Sequence, residues 1–592
     1  MGKRSAFMVL VLLTVLLAAV CGLNLWKSQT EGFSPLDNIS FYNGDAKGIR
    51  LCQAPVEGVY NLFVPGCAAG ELHIDCPGHT RIVVNDSEVL TNGDEIIRYV
   101  RDVSEDGVRY VKASVFDAGN REVFNGYINF FFTGRLPSVY ITVPEADIAE
   151  INAENPEERL SRLHTKGIMN VVDVNGKTDI SSVIDMSRRG NTSFLHMDAK
   201  PYNINLSEPA SILGMRPGRK LAFKAGSYDM NHLLRTEAAF DMARLTGMPG
   251  MFDTRFADVY INGIYAGLYQ ISNRIKGDEL LGLGNSGYLL ELDYRYQDEA
   301  YYFESNGQGI VIHYPEFPSK DQIAYISERY NEAYAAVRSD GDYEKYIDTE
   351  SFMKMYIIQD FFCNVDVDYA SFYIFLGDDG LFHAGPVWDF DLATGIMQTL
   401  PFHEELALRS HIIPDRGGIF LDLLGDSPRF MERLRAYYIN EFAPLMDEYI
   451  YGTMTQKGME LSGSLETAGI QHPFHFKGFH GLDSAEGLAE WMKARNLFLK
   501  EYYENYEQYV NVWYHFAWGD IRTLARKGEK LGVLPDSGHP DNDEAFWGEI
   551  TGFETGDRFI INEDFIPEED TDLYAIYTED SHAWEEGYKG AE

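Results

Sequence analysis

The sequence predicts an α+β protein of several domains. Short apolar runs separated by Gly, Pro and Asn turns fill residues 37–134. Strand-like and helix-like periods mix from Pro137 to about residue 510, and strand-like pieces return in an acidic C-terminal stretch. At 592 residues the chain exceeds what one hydrophobic core supports, so roughly two to four domains are expected. Hydrophobic residues at 45% and aromatic residues at 14% mark it as packed and globular. A net charge of −41 argues against nucleic acid and anionic membrane surfaces, whose phosphates it repels, and favours basic or cationic partners.

Lys3 and Arg4 precede an apolar run from Ala6 to Leu23 that is long enough to span a bilayer. Residues 1–27 are therefore read as a signal or membrane anchor. An uncleaved anchor is the expectation, cleavage the alternative, and the positive flank leaves the rest of the chain outside the cytoplasm. That compartment allows one disulfide among Cys52, Cys67 and Cys76 without choosing the pair, while Cys363 lies in an apolar helical stretch and reads as buried. Neither C-x-x-C nor H-E-x-x-H occurs, so a zinc site has no support.

Runs such as Y-N-L-F-V-P-G and Y-I-N-F-F-F-T-G in residues 37–134 predict a small β-sandwich. Beyond Pro137 come a strand (S-V-Y-I-T-V), a helix over Glu145–Asn152, further strands, a helix over Leu233–Leu245 and amphipathic helices from Tyr343 to Phe361 and onward to Tyr509. From Asp536 to Glu592 there are 18 acidic residues against two basic ones. The apolar pieces R-F-I-I-N and D-L-Y-A-I-Y within that stretch argue for a small β module with a solvated acidic face, ending in an acidic tail at 581–592.

The chemistry is concentrated between Asp366 and Asp391. Ser371 to Leu376 and Leu381 to Val387 read as two strands joined by a G-D-D-G turn, with an acidic cluster at each end of the hairpin. Asp366 is followed five residues later by Ser371, the spacing that sets base and metal-binding Asn in a protein kinase catalytic loop. If W-D-F-D stays extended, Asp389 and Asp391 share one face, with Trp388, Phe390 and Leu392 on the other. Magnesium-dependent phosphoryl transfer needs little more than such a base, metal-holding carboxylates and neutralised charge. A solvated, turn-forming acidic loop is the structural alternative.

From R-R-G-N-T-S (188–193) through A-K-P-Y-N-I-N-L (199–206), L-L-R-T-E (233–237), V-Y-I-N-G-I-Y-A-G-L-Y (259–269), N-V-D (364–366), P-V-W-D-F-D (386–391) and W-M-K-A-R-N (491–496), the sequence resembles the CotH kinase family, atypical kinases named for a bacterial spore-coat protein. The resemblance spans residues 137–510. It implies an atypical protein-kinase-like core that binds ATP and Mg2+ and phosphorylates Ser or Thr of a protein acceptor. Asp366 matches the catalytic aspartate and Asp389 the metal-holding one. Asp391 joins the metal set by its place beside Asp389.

Lys200 is the candidate for neutralising ATP phosphates, and Arg189, Gly190 and Asn191 read as a phosphate-near loop or a plain tight turn. Ser371 stands where a metal-binding Asn is expected, and Asn273, grouped with the nucleotide-binding residues, stands where the family tends to carry Glu. Both departures bear on whether the chain is an active kinase or a catalytically weak surface adhesin. K-G-E-K-L-G-V-L-P, F-W-G-E-I-T-G-F-E-T-G-D and D-L-Y-A-I-Y look like one Listeria-Bacteroides repeat, a β-grasp-like surface module placed at 520–580. Together with the N-terminal segment it implies a bacterial, membrane-anchored, extracytoplasmic protein.

Overall fold

The computed structural model describes residues 36–577 apart from residues 79, 103–107, 156–161, 191, 227–231, 365–366, 368–369, 392, 395–403, 412–419, 474–483, 517–518 and 536–549. The fold is mixed α and β, with sheets dominating and helices concentrated between residues 320 and 504. It divides into two compact units, the first made of residues up to Tyr140 with Val172–Thr178 and Tyr260–Tyr265, the second of the remainder. No helix among the described residues is long and apolar enough to cross a membrane. The apolar run at 6–23 and the acidic tail at 581–592 lie outside the described residues.

In the first unit the alternation read from the sequence becomes two sheets. Ala46–Arg50, Ser40–Asn43 and His73–Asp75 form one, and a larger sheet is centred on Val59–Val64, Glu122–Phe132 and Arg109–Phe116. Val111, Ala113 and Val115 turn inward at every second position and join Phe41, Leu62, Ile128 and Phe130 in a common core. Cys76 and Cys363 are buried free thiols.

A closed barrel follows in the chain, its strands running, in order around it, Ser138–Thr142, His164–Val172, Thr178–Arg188, Tyr202–Ala210, Gly218–Ala225, Ile264–Asn273 and Thr254–Ile261. Cross-strand partners share a face, so Met186, Ile204 and Leu221 line up on one side, as do Phe223 and Ile271. All five are at most 1% exposed. Lys220, Ala222 and Lys224 point to the opposite side of the Gly218–Ala225 strand.

After the barrel, a five-stranded sheet runs Tyr302–Ser305, Gln308–Tyr314, Tyr288–Leu292, Phe372–Leu376 and Phe382–Ala384. The helix Lys320–Arg338 covers it and starts at a capping box between Ser319 and Gln322. The next helix, Thr349–Phe361, begins at Asp348, whose carboxylate caps Ser351 N–H. It is not the amphipathic helix expected from Tyr343 onward: every residue except Glu350 is buried, because other elements pack on all its sides.

The predicted hairpin forms, with Ile374 opposite Ala384 and Leu376 opposite Phe382. Its turn is closed by Gly377 N–H to Leu381 O at 3.0 Å, with Gly380 at φ +77°, a conformation that favours glycine. The second strand stops at Ala384 instead of reaching Val387, since Pro386 has no N–H to offer the ladder. A second five-stranded sheet, order Gly519–Arg526, Tyr509–Phe516, Thr571–Tyr577, Ile550–Thr555, Ile560–Ile561, closes the described chain.

Candidate functional site

The segment after the hairpin turns where the sequence reading kept it extended. Asp389 has φ +59°, the left-handed region that Asp tolerates better than most residues, so the pleat does not set its direction. The neighbouring rings do sink inward, Trp388 at 7% and Phe390 at 0% exposure. The turn leaves the Asp389 side chain 35% exposed, its Oδ1 3.1 Å from Lys224 Nζ. Lys224 is 7% exposed and lies 4.1 Å from the centre of the Trp388 ring and 5.6 Å from that of Phe240. Burial lowers its pKa, opposed by Asp389 and Asp391 and reinforced by Arg189.

Arg189 follows the Thr178–Arg188 strand and stacks on Trp388 at 4.9 Å. Its pKa is lowered by burial, while Asp389, Tyr373, Asp391 and Glu291 pull it back up. Arg189, Lys224, Asp389 and Asp391 therefore feel one another across a single cleft. Gly190 beside Arg189 has φ +75°, and a Cβ there would meet Ser193 Oγ at 2.6 Å, so this turn requires glycine. Asn191 and Asp366 lie outside the described residues. The helix leading toward Asp366 is fixed at its end by the fully buried Arg495 of W-M-K-A-R-N, which donates to the carbonyls of Asp360 (2.8 Å) and Leu408 (2.5 Å).

Two sequence candidates, Lys200 and Asn273, are not brought to Asp389. Lys200 Nζ donates to Phe194 O at 2.7 Å and lies over the Phe194 ring, with Asp198 as the acidic group acting on it. The cation at Asp389 is Lys224 instead. Its signal was present in L-A-F-K-A, a strand that ends just before a helix, the placing of the V-A-I-K lysine in protein kinases. Asn273 pairs with Leu221 across the ladder and so lies on the face opposite Lys224, its amide donating to Arg216 O at 3.4 Å. Ser371 opens the Phe372–Leu376 strand at φ +62°, and among the described residues its hydroxyl has no hydrogen-bonding partner.

Two further groups of the cleft escaped the sequence reading. Tyr373 and Glu291 are cross-strand partners, joined by a side-chain hydrogen bond, and His313 bonds to Glu291 from the next strand. Burial, then Glu291, raises the Tyr373 phenol well above its ordinary pKa. Glu237, the first carboxylate of the helix His232–Leu245 that follows the Lys224 strand, stands where a kinase-like partner for Lys224 is sought, but it is engaged elsewhere. Gln270, Thr254, Arg244 and Lys457 reach it at 2.7–2.8 Å.

A family model described as CotH kinase protein matches residues 186–499, from the third barrel strand to the last long helix. The chain belongs to the CotH kinase family. No curated protein matches it. The match contains Arg189, Lys224, Glu291, Tyr373, Asp389 and Asp391, so the whole described cleft lies within the CotH region.

Two carboxylates at a turn beside two cations suit Mg2+, which commonly takes one or two protein carboxylates and completes its shell with phosphate oxygens and water. Among the described residues no group of three His, Cys, Asp or Glu side chains forms a fuller metal cage. A separate cavity of about 340 Å3 is lined by Arg216, Arg244, Met251, Leu281 and Phe375 among others, and neither Lys224 nor Asp389 is part of its wall.

Proposed function

We propose that the protein is an ATP- and Mg2+-dependent kinase of the CotH type, transferring the γ-phosphate to a Ser or Thr hydroxyl of a protein acceptor. The single observation that carries this reading is the Lys224–Asp389 pair at 3.1 Å within the matched region, flanked by Arg189 and Asp391. Asp389 and Asp391 would hold Mg2+, which when bound neutralises phosphate oxygens and favours in-line displacement. Lys224 passes from Asp389 to the phosphates, and Arg189 adds charge on the same side. Asp366 takes the proton of the acceptor hydroxyl as its oxygen attacks the γ-phosphorus; the bond from that phosphorus to the bridging oxygen breaks, leaving ADP and a phosphoester.

The same reading covers the rest of the chain. Residues 1–27 anchor it to a membrane, the C-terminal module is a Listeria-Bacteroides repeat, and the kinase acts outside the cytoplasm on acceptors that an acidic surface attracts, basic ones above all. The test is transfer of labelled γ-phosphate to the protein itself or to a casein-like acceptor. Asp389→Ala is expected to abolish labelling, and equal labelling by variant and wild type overturns the proposal.

One observation favours a second reading, a CotH-like surface adhesin of little or no activity. Glu237 is bound by four other groups, so Lys224 lacks the Lys–Glu pair that active protein kinases require. An unchanged melting temperature with ATP and Mg2+ supports the adhesin, whereas an upward shift of several degrees supports the kinase.

A further inference from the structure

A second group of cations shares the cleft with Lys224. Lys220 lies on the same strand and face as Lys224, four residues back, or about 13 Å along the strand at ordinary strand rise. Arg274 N–H bonds to Lys220 O at 2.9 Å, which continues the ladder from the Leu221–Asn273 pair and sets Arg274 directly opposite Lys220. Like charges so placed destabilise a sheet. Lys276 follows two residues later, and Lys220, Arg274 and Lys276 are all half-buried.

This chain has 91 acidic residues against 50 basic ones, yet among the described residues none of the three cations has a carboxylate within ion-pair distance. Among the described residues the only side-chain bond of the group is Arg274 to Asn205 Oδ1 at 3.5 Å. Burial, then Arg274 and Lys220, brings the Lys276 pKa down to about 8, with Glu316 and Asp278 opposing from farther away. Burial, Arg189 and Arg162 bring Arg274 to about 10. Such mutual repulsion is costly in a folded protein unless an anion relieves it.

We propose that Lys220, Arg274 and Lys276 form a phosphate-binding subsite, distinct from the Lys224–Asp389 pair and occupied by a phosphate group of the nucleotide or of a phosphorylated acceptor. Lys220 stands on one strand and Arg274 and Lys276 follow the end of its neighbour, so one tetrahedral dianion can be met from two sides. The subsite does not depend on phosphoryl transfer, and its test is a binding measurement.

Calorimetric titration of the full chain with inorganic phosphate is expected to show binding that Lys200→Met, whose ammonium is held by Phe194 O, leaves within about twofold. Lys220→Gln with Lys276→Gln is expected to weaken it about tenfold or more, the scale of a lost charge-assisted contact. Lys276→Arg, which keeps the charge, restores binding and separates loss of the site from loss of the fold. Undiminished binding by the double Gln variant overturns the proposal, and so does binding that vanishes in Lys200→Met. Repeating the titration on ATP-saturated protein assigns the source. Competition means that the nucleotide fills the subsite, and undiminished phosphate binding leaves it to a phosphoserine acceptor; both outcomes support its existence.

Discussion

Replacing Lys276 with methionine is expected to stabilise the ligand-free protein while weakening its hold on phosphate. An ordinary lysine titrates near 10.5, and Lys276 is brought to about 8 by burial and by Arg274 and Lys220. At about 1.4 kcal/mol per pK unit, the protonated form costs the folded state about 3 kcal/mol, of which solvent reaching the half-buried side chain leaves about 1–3. Between pH 8 and pH 10.5 the unfolded chain keeps a proton that the folded chain has lost, so stability rises with pH across that window. Methionine keeps the apolar stem and removes the charge, so the variant lacks this rise. Urea midpoints at pH 7 and pH 9.5, compared between variant and wild type, isolate the effect, because the other lysines titrate in both. The variant should be the more stable at pH 7, with the gap narrowing at pH 9.5 and on adding phosphate to the wild type. A variant less stable than wild type at pH 7, or a gap independent of pH, refutes the assignment of Lys276 as a strained cation.

Lys224→Met should lower labelled-phosphate transfer by about 10²–10³, the scale of losing one preorganised charge contact, while Lys200→Met stays within about twofold because its partners are Phe194 and Asp198. A larger loss from Lys200→Met would return the phosphate role to that residue. Asn273→Glu, the residue the family pattern suggests, should cost about 1–3 kcal/mol in thermal or urea unfolding and leave transfer no higher, since it buries a carboxylate on the face away from Lys224. Increased transfer would contradict that face assignment. His411, buried between Asp360 Oδ1 at 2.7 Å and the Tyr356 hydroxyl at 3.2 Å, has its pKa lowered chiefly by burial. Its neutral form stabilises the fold above pH 6.5, and that stability is lost as pH falls through its folded pKa. His411→Gln should flatten the urea midpoint between pH 6.5 and pH 5, and an unchanged slope would assign the acid sensitivity elsewhere.

Features written in neighbouring residues were legible in the sequence. The Arg109–Phe116 strand shows its inward face at every second residue, and G-D-D-G specified the hairpin turn through its own glycines. The carboxylates of W-D-F-D were found as chemistry, but not in their conformation, since a left-handed Asp leaves no mark in a pattern of alternation. Closure of seven strands into a barrel depends on pairings between segments far apart in the chain, which no local period reports. The helix Thr349–Phe361 departs from the amphipathic expectation because periodicity records one buried face, and this helix has no exposed one.

Lys200 and Lys224 show what decides between two candidate cations that sequence alone does not separate. Both lysines adjoin or occupy strands of the barrel, and sequence alternation treats them alike. They differ in what encloses them: Lys200 is satisfied by a backbone carbonyl of its own loop, whereas Lys224 depends on residues 164 and 165 positions away, Trp388 and Asp389. A cation satisfied locally has little to gain by moving to a phosphate, but one held by a ring and a single partly exposed carboxylate can exchange the carboxylate for phosphate and keep the ring. With Glu237 committed to Gln270, Thr254, Arg244 and Lys457, the helix His232–Leu245 offers Lys224 the Phe240 ring in place of a carboxylate. On the proposed kinase reading, this aromatic surround, together with Asp389, does the positioning that the αC glutamate performs in protein kinases.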